Sequence, residues 1–344
     1  MNAAAHGTDH RQTVLSVRDL RVSFPAPGLE PVEPVRGVSL DLKRATRVGL
    51  VGESGSGKSL TALAMMRLVD ERAIVTGHVT MKGRELLTLS EREMCDVRGR
   101  DIAMVYQDPM SALNPVFSIG RQLVETIKRS GQYSRQAAQE RAAALLAEVG
   151  VSDPRRRLDA YPHEFSGGMR QRVVIAMALA AEPEVIIADE PTTALDVTTQ
   201  ATIIALLGSL VDSHGLSVLL ITHDLGVAAS MCDEVNVMYA GRIVEASGVE
   251  DFYRRPTHPY SEALLNSICR LDADVGQPIL SISGMPPMPG GLPVGCAFHP
   301  RCPQAIQSCR TETPTPISVG MDHHVECLLA TPSLSDARSG RHED

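Results

Sequence analysis

The chain has 344 residues, enough for two domains or for one large domain with an appendage. A 43% hydrophobic share supports a sizeable core, which the absence of Trp and the 3% aromatic content predict to be aliphatic. A net charge of −8 lacks the basic face of a nucleic-acid binder, no apolar run approaches the ~18 residues that cross a bilayer, and the polar residues 1–11, expected to be disordered, carry no secretory leader.

In chain order, "VLSVRDLRVSF" within residues 12–24 alternates apolar and polar side chains, a strand signal. "PAPGLEPVEP" reads as a loop. "RVGLV" (47–51) is a short apolar strand running into "GESGSGKS", and "KSLTALAMMRLV" follows as a helix apolar on both faces. Residues 119–181 are expected to be helical, with Ser134 capping "RQAAQERAAALLAEV" and Gly150 closing it. "EVIIA" (184–188) is a buried strand ending in Asp189. "QATIIALLGSLVDSHG" is an amphipathic helix stopped by Gly215, and "SVLLIT" (217–222) is the next buried strand. The helix "DLGVAASMC" and the strands "EVNVMYA" and "RIVEAS" complete the pattern. Strands alternating with helices predict an α/β fold with a largely parallel sheet. Near residue 255 the composition changes: "RRPTHPYSEALLNSI" holds a helical piece, residues 283–316 little regular structure, and 332–344 a disordered tail.

"GESGSGKS" fits G-x-x-x-x-G-K-[ST], with a strand before it and a helix after it. Backbone N–H groups around Gly52, Ser54, Gly55 and Gly57 turn inward on phosphates, helped by the helix N-terminus. Lys58 supplies a cation to the β- and γ-phosphates of ATP, Ser59 a hydroxyl for Mg²⁺, and Leu60 closes the contact set. In "VIIADE" (185–190), Asp189 suits Mg²⁺ and Glu190 is placed to polarise an attacking water. Alone, an apolar run ending in Asp-Glu is common.

"FSGGMRQR", Phe165–Arg172, resembles the signature of ABC ATPases, and the resemblance covers roughly residues 12–250. It implies a P-loop ABC-type nucleotide-binding domain over 12–255, with a helical subdomain at about 108–178. It further implies that Gln107 in "VYQDP" senses the γ-phosphate and Mg²⁺. Asp196 in Thr193–Ala194–Leu195–Asp196 lies in the loop facing a partner, His223 in "LLITHD" is the switch histidine, and Phe24 stacks on adenine. Singly, such a Gln, His or Ser-Gly-Gly has a bland structural reading; their order within one chain removes it. Phe165 and Met169 stand where the family commonly has Leu and Gln, while Ser166, Gly167 and Gly168 remain. In the family, two such domains face head to tail, and the signature of one closes over ATP held by the other.

"YRRPTHPYSEALLNSI" (253–268), "LPVGCAFHPRCPQAIQSC" (292–309), "HHVEC" (323–327) and "YQDPMSALNPVFSIG" (106–120) resemble the oligopeptide/dipeptide importer ATPases, some of which serve nickel, glutathione or other small cargo. That resemblance assigns 256–331 to a C-terminal extension. It implies two transmembrane permease subunits, a second, related ABC ATPase subunit with a homodimer as the alternative, an extracytoplasmic substrate-binding protein, and a place on the cytoplasmic face of the cell membrane. A rival class, a soluble ABC ATPase acting on nucleic acid or ribosomes, usually has two cassettes or coiled-coil insertions.

Of seven cysteines, four follow C-x5-C-x6-C-x17-C: Cys296, Cys302, Cys309 and Cys327. Disulfides suit the cytosol poorly, and zinc usually shows a close Cys pair. Four thiolates suit an iron–sulfur cluster, which the resemblance extends to a [4Fe-4S] cluster; free thiols or another metal stay open. Cys269 is a nearby fifth thiol, and His299, His323 and His324 are alternative ligands.

Overall fold

The computed structural model describes residues 12–333 except Leu29, Ser130, Gln132, Ala194 and 268–281. Residues 1–11 and, of the tail 332–344 expected to be disordered, residues 334–344 therefore lie outside the described residues, as do Cys269 and Ala194.

Alternation makes β1 (Thr13–Phe24) a strand: Leu15 and Val17 are buried, then Leu20 and Val22. The phase shifts at Asp19, whose φ is 44°. β2 (Val32–Lys43) begins inside the stretch read as a loop. Pro34 and Gly37 hid it, and it lies at the edge of its sheet, where a missing N–H is tolerated. β3 (Arg47–Val51) is the expected apolar strand, and α1 (Lys58–Met65) the helix after the glycine-rich loop. β4 (Ile74–Met81) and β5 (Arg84–Glu85) form a hairpin over Lys82 and Gly83, both at positive φ as a two-residue turn requires. α2 (Glu91–Val97) starts at a reciprocal Ser90–Glu93 capping box.

β6 (Ile102–Val105) pairs in parallel with β7 (Val185–Asp189), Ile102 opposite Val185 and Val105 opposite Ala188. Between them in sequence come α3 (Pro109–Ala112), α4 (Ile119–Arg129), α5 (Arg135–Glu148), α6 (Pro154–Arg157) and α7 (Gly167–Leu179). Ser134 caps α5 as expected, accepting from Ala137 N at 3.2 Å. All five residues of β7 are buried, each large apolar side chain contributing about 1.5–3 kcal/mol relative to exposure. α8 (Val197–His214) ends on Gly215 in the left-handed region, φ 62°, as the sequence predicts. β8 (Ser217–Thr222) and α9 (Leu225–Met231) follow.

β9 (Glu234–Tyr239) runs parallel to β3 and antiparallel to β10 (Arg242–Gly248). After α10 (Val249–Arg254) and α11 (Pro259–Asn266), the chain adds β11 (Ile317–Gly320) and β12 (His323–Val325), and β12 pairs with β10, Glu245 opposite Val325. Residues 283–316 form only two short 3₁₀ turns, in line with the sequence reading.

Packing divides the chain into two interleaved units. The first takes residues up to Ser16, Asp41–Arg47 and Thr80–Leu219; the second takes Val17–Leu40, Val48–Val79 and the chain from Leu220. The first is aliphatic as predicted, around residues such as Leu123, Leu146, Ile175 and Ile187. The second departs from that expectation. Its few aromatics gather where the C-terminal residues pack, with the Tyr239 ring centroid 4.5 Å from Tyr260 and 5.2 Å from Phe298, all three buried.

Candidate nucleotide site and the C-terminal thiols

In the second unit the loop Gly52–Ser59 joins β3 to α1. Gly52 has φ 150°, and a Cβ there would stand 2.2 Å from the Met238 carbonyl oxygen, so only glycine lets the loop pass β9. Lys58 is buried, and its Nζ donates to the carbonyls of Gly52 (2.8 Å) and Glu53 (2.9 Å) and to Ser56 Oγ (3.4 Å). The cation is thus held inside the loop, beside Ser59 in the first turn of α1. Ser54 and Gly55 are exposed, and Ser59 and Leu60 half-buried. His223 is exposed directly after β8, and Phe24 is half-buried at the end of β1.

In the first unit, Asp189 ends β7 and is buried. Glu190 follows in the left-handed region, φ 45°, a conformation that costs a non-glycine residue about 1–3 kcal/mol. Its carboxylate accepts from Gln107 Nε2 at 3.1 Å and from Thr193 Oγ1 at 2.7 Å. The structure thereby unites two residues the sequence nominated and adds Thr193, which the sequence reading used only as a boundary. Its signal was the hydroxyl three residues after Glu190.

Ser166 caps α7, accepting from Met169 N at 3.3 Å, and Ser166 and Gly167 are exposed. Phe165 is buried beneath the Arg157 guanidinium, 5.3 Å from its ring centroid, so the aromatic in place of Leu anchors the helix start. A Cβ on Gly168 would stand 2.4 Å from Thr199 Cγ2, so glycine lets α7 approach α8. Asp196 caps α8: Oδ1 accepts from Thr199 N (3.0 Å) and Oδ2 from Thr199 Oγ1 (2.7 Å). These bonds hold its carboxyl below the usual range.

Mg²⁺ needs hard oxygen donors. In the first unit the Asp189 carboxylate and the Gln107 side-chain carbonyl oxygen are of that kind, the Gln107 amide nitrogen being the group given to Glu190; in the second unit the Ser59 hydroxyl is of that kind as well.

The thiols are a different matter. Cys309 is buried and Cys296, Cys302 and Cys327 half-buried. Burial pushes the thiols of Cys296, Cys302 and Cys327 up, and neighbouring thiols add to the rise: Cys309 and Cys327 for Cys296, Cys327 and Cys309 for Cys302. Among the described residues, however, no group of three or more His, Cys, Asp or Glu is arranged to hold a metal ion. The expected metal centre at Cys296, Cys302, Cys309 and Cys327 is therefore not supported. The alternative ligands are engaged elsewhere or exposed. His323 Nε2 lies 2.8 Å from Glu245 Oε1, His299 Nδ1 lies 2.9 Å from the Cys296 carbonyl oxygen, and His324 is exposed. Cys95 is exposed and Cys232 buried.

The family model described as ABC transporter matches residues 35–193, and the one described as the C-terminal region of the oligopeptide/dipeptide transporters matches 244–309. The chain is 50% identical to the probable peptide ABC transporter ATP-binding protein y4tR of Sinorhizobium fredii, over 91% of this chain and 94% of that one. It is 49% identical to the oligopeptide transport ATP-binding protein OppD of Mycobacterium tuberculosis, over 92% of this chain but 52% of that one, so it spans about half the length of that relative. A dimeric structure of the ATP-binding cassette MJ0796 in a post-hydrolysis state, bound to ADP and Pi, matches with a TM-score of 0.61 and 27% identity, over 68% of this chain and 98% of that one. Among the described residues no helix is long and apolar enough to cross a membrane.

Proposed function

The chain belongs to the ATP-binding proteins of the ABC transporter family, in the oligopeptide/dipeptide group, and from that premise we propose that it hydrolyses ATP to drive an importer of oligopeptides or dipeptides. The observation that carries this reading is Glu190, held at the end of β7 by Gln107 and Thr193. The loop N–H groups and Lys58 bind the β- and γ-phosphates. Asp189, Ser59 and Gln107 would hold Mg²⁺, which would supply charge neutralisation for the phosphoryl oxygens. Glu190 accepts the proton of a water whose oxygen attacks the γ-phosphorus. His223 holds the γ-phosphate, and the bond to the β–γ bridging oxygen breaks to release ADP and phosphate.

One chain supplies half of each closed site. The exposed Ser166 and the N-terminus of the 13-residue α7 suit an anion presented by a second ATPase subunit, and the similar MJ0796 cassette is a dimer. Transport then requires two permease subunits and an extracytoplasmic binding protein, with this chain on the cytoplasmic membrane face. A groove of about 870 Å³ beside α4, α5 and α6, lined by Arg121, Lys128 and Arg155 together with Glu125, Glu140 and Asp159, is the surface assigned to a permease loop. Nickel, glutathione or another small solute is the alternative cargo.

The finer reading of the cysteines is that the extension takes up a [4Fe-4S] cluster. What supports it is that the thiols of Cys309 and Cys327 both bear on those of Cys296 and Cys302. Iron content after anaerobic purification tests it, and a colourless, iron-free, active protein rejects it. The function itself is tested by purifying the chain with its partners. Permease subunits and ATPase activity stimulated by peptide with its binding protein are expected; isolation without any permease, or stimulation by nickel or glutathione instead, overturns the peptide reading.

A further inference from the structure

The second residue of the phosphate-binding loop, Glu53, carries a negative charge in a loop built to attract anions. Its carboxylate is met by Arg301, from the C-terminal extension: one terminal nitrogen donates to Oε2 at 2.7 Å and the other to Oε1 at 3.0 Å. The Arg301 side chain is 4% exposed, against 26% for Glu53. Nε donates to the Ser283 carbonyl (3.0 Å), and the remaining donors reach Tyr239 Oη (3.4 Å) and the Ile282 carbonyl (3.5 Å). All five guanidinium hydrogens therefore have an acceptor. The Glu53 carboxylate holds the Arg301 pKa above its usual value. The same loop residue is gripped from a second side, since its N–H donates to the buried Tyr260 hydroxyl at 2.9 Å. Tyr260 belongs to the aromatic cluster with Tyr239 and Phe298, and Phe298 stands three residues before Arg301.

We propose that Arg301 is a positioning residue for ATP binding: it neutralises Glu53 and fixes the first turn of the phosphate loop from the C-terminal extension. The proposal rests on the reading of Gly52–Ser59 as the ATP cradle. Glu53's carbonyl accepts from Lys58 Nζ at 2.9 Å, so the carboxylate belongs to the segment that shapes the cation's position. Charges closer than the ~8 Å Debye length of physiological salt are only partly screened, and partly buried ones less still. Without Arg301 the loop carries an uncompensated anion where a triphosphate must bind. A lysine replaces the charge but cannot supply the planar two-pronged contact.

The two roles, charge neutralisation and mere packing, separate by rescue. Full-length variants are assembled with their partners, and ATP affinity is read with a fluorescent ATP analogue and Mg²⁺ alongside steady-state ATPase kinetics. Arg301→Met is expected to raise KM for ATP about tenfold with kcat within twofold, and Arg301→Lys to fall between. Adding Glu53→Gln to Arg301→Met removes the charge that needs neutralising. KM is then expected to return to within about twofold of Glu53→Gln alone. A double variant as weak as Arg301→Met, a loss confined to kcat, or an unchanged KM in Arg301→Met overturns the proposal. If Arg301→Met does not fold, the neutral and polar Arg301→Gln, with and without Glu53→Gln, carries the same comparison. Wild-type protein that binds no ATP overturns the cradle reading itself, before any variant is compared.

Discussion

Gln107 Nε2 donates to Glu190 Oε2 across 3.1 Å, joining residues 83 apart in the chain. Together with Thr193 it directs a carboxylate already set by a left-handed backbone. Losing the amide frees the carboxylate to rotate away from the attacking water without touching the phosphate loop. Gln107→Ala is therefore expected to lower kcat about tenfold or more, with a smaller loss of MgATP affinity from the missing oxygen donor. A KM effect without a kcat effect would show that Gln107 only binds.

Lys58 is confined by two loop carbonyls, so its charge cannot be supplied from elsewhere in the loop. Lys58→Ala is expected to weaken ATP binding about 10–100-fold, the worth of a charge-assisted contact of roughly 1.5–3 kcal/mol. Titration with a fluorescent nucleotide reads it directly, and affinity within twofold of wild type contradicts the assignment.

The start of α7 leaves no room for a methyl group, because the neighbour of Gly168 is Thr199 Cγ2. Gly168→Ala is expected to cost about 1–3 kcal/mol by overpacking. Thr199→Ser removes that methyl and keeps the hydroxyl on Asp196. The double variant is expected to melt closer to wild type than Gly168→Ala does. Additive losses would refute the contact.

His258 is buried, and burial depresses its pKa to about 4. Its Nδ1 accepts from Tyr260 N at 3.0 Å, which requires the neutral ring. A depressed folded-state pKa means that the unfolded chain binds the proton first. The stability is present above about pH 6.5 and is lost as pH falls toward 4, by up to about 3 kcal/mol. Glu245, held below its usual range despite burial by His323 and two backbone N–H groups, works in the same direction at lower pH. Urea unfolding at pH 7, 5.5 and 4.5 reads this slope, and His258→Gln is expected to flatten it between pH 6.5 and 4.

Much of the first layer was legible because it is written in local patterns. The glycine-rich loop between β3 and α1, the buried strand ending at Asp189, the Ser134 cap and the Gly215 stop each depend on neighbours in sequence. β2 was hidden by Pro34 and Gly37, and β11 and β12 are too short to show a period. The aromatic cluster was masked by averaging a scarce residue type over the whole chain, although Tyr239, Tyr260 and Phe298 concentrate in one place. Side-chain partnerships such as Arg301 with Glu53, 248 residues apart, are set by tertiary packing and leave no local trace. The thiol spacing suggested a ligand set that the described fold does not arrange.

The account stands or falls on Glu190 as the group that takes the proton from water. The direct measurement is ATP binding, subunit association and phosphate release by Glu190→Gln in the assembled transporter. The amide keeps the size and the Gln107 contact site but cannot accept the proton. ATP binding close to wild type, a stable ATP-bound dimer and phosphate release lowered at least about 100-fold are expected. Phosphate release near the wild-type rate would remove Glu190 from that role and, with it, the hydrolysis scheme built on β7.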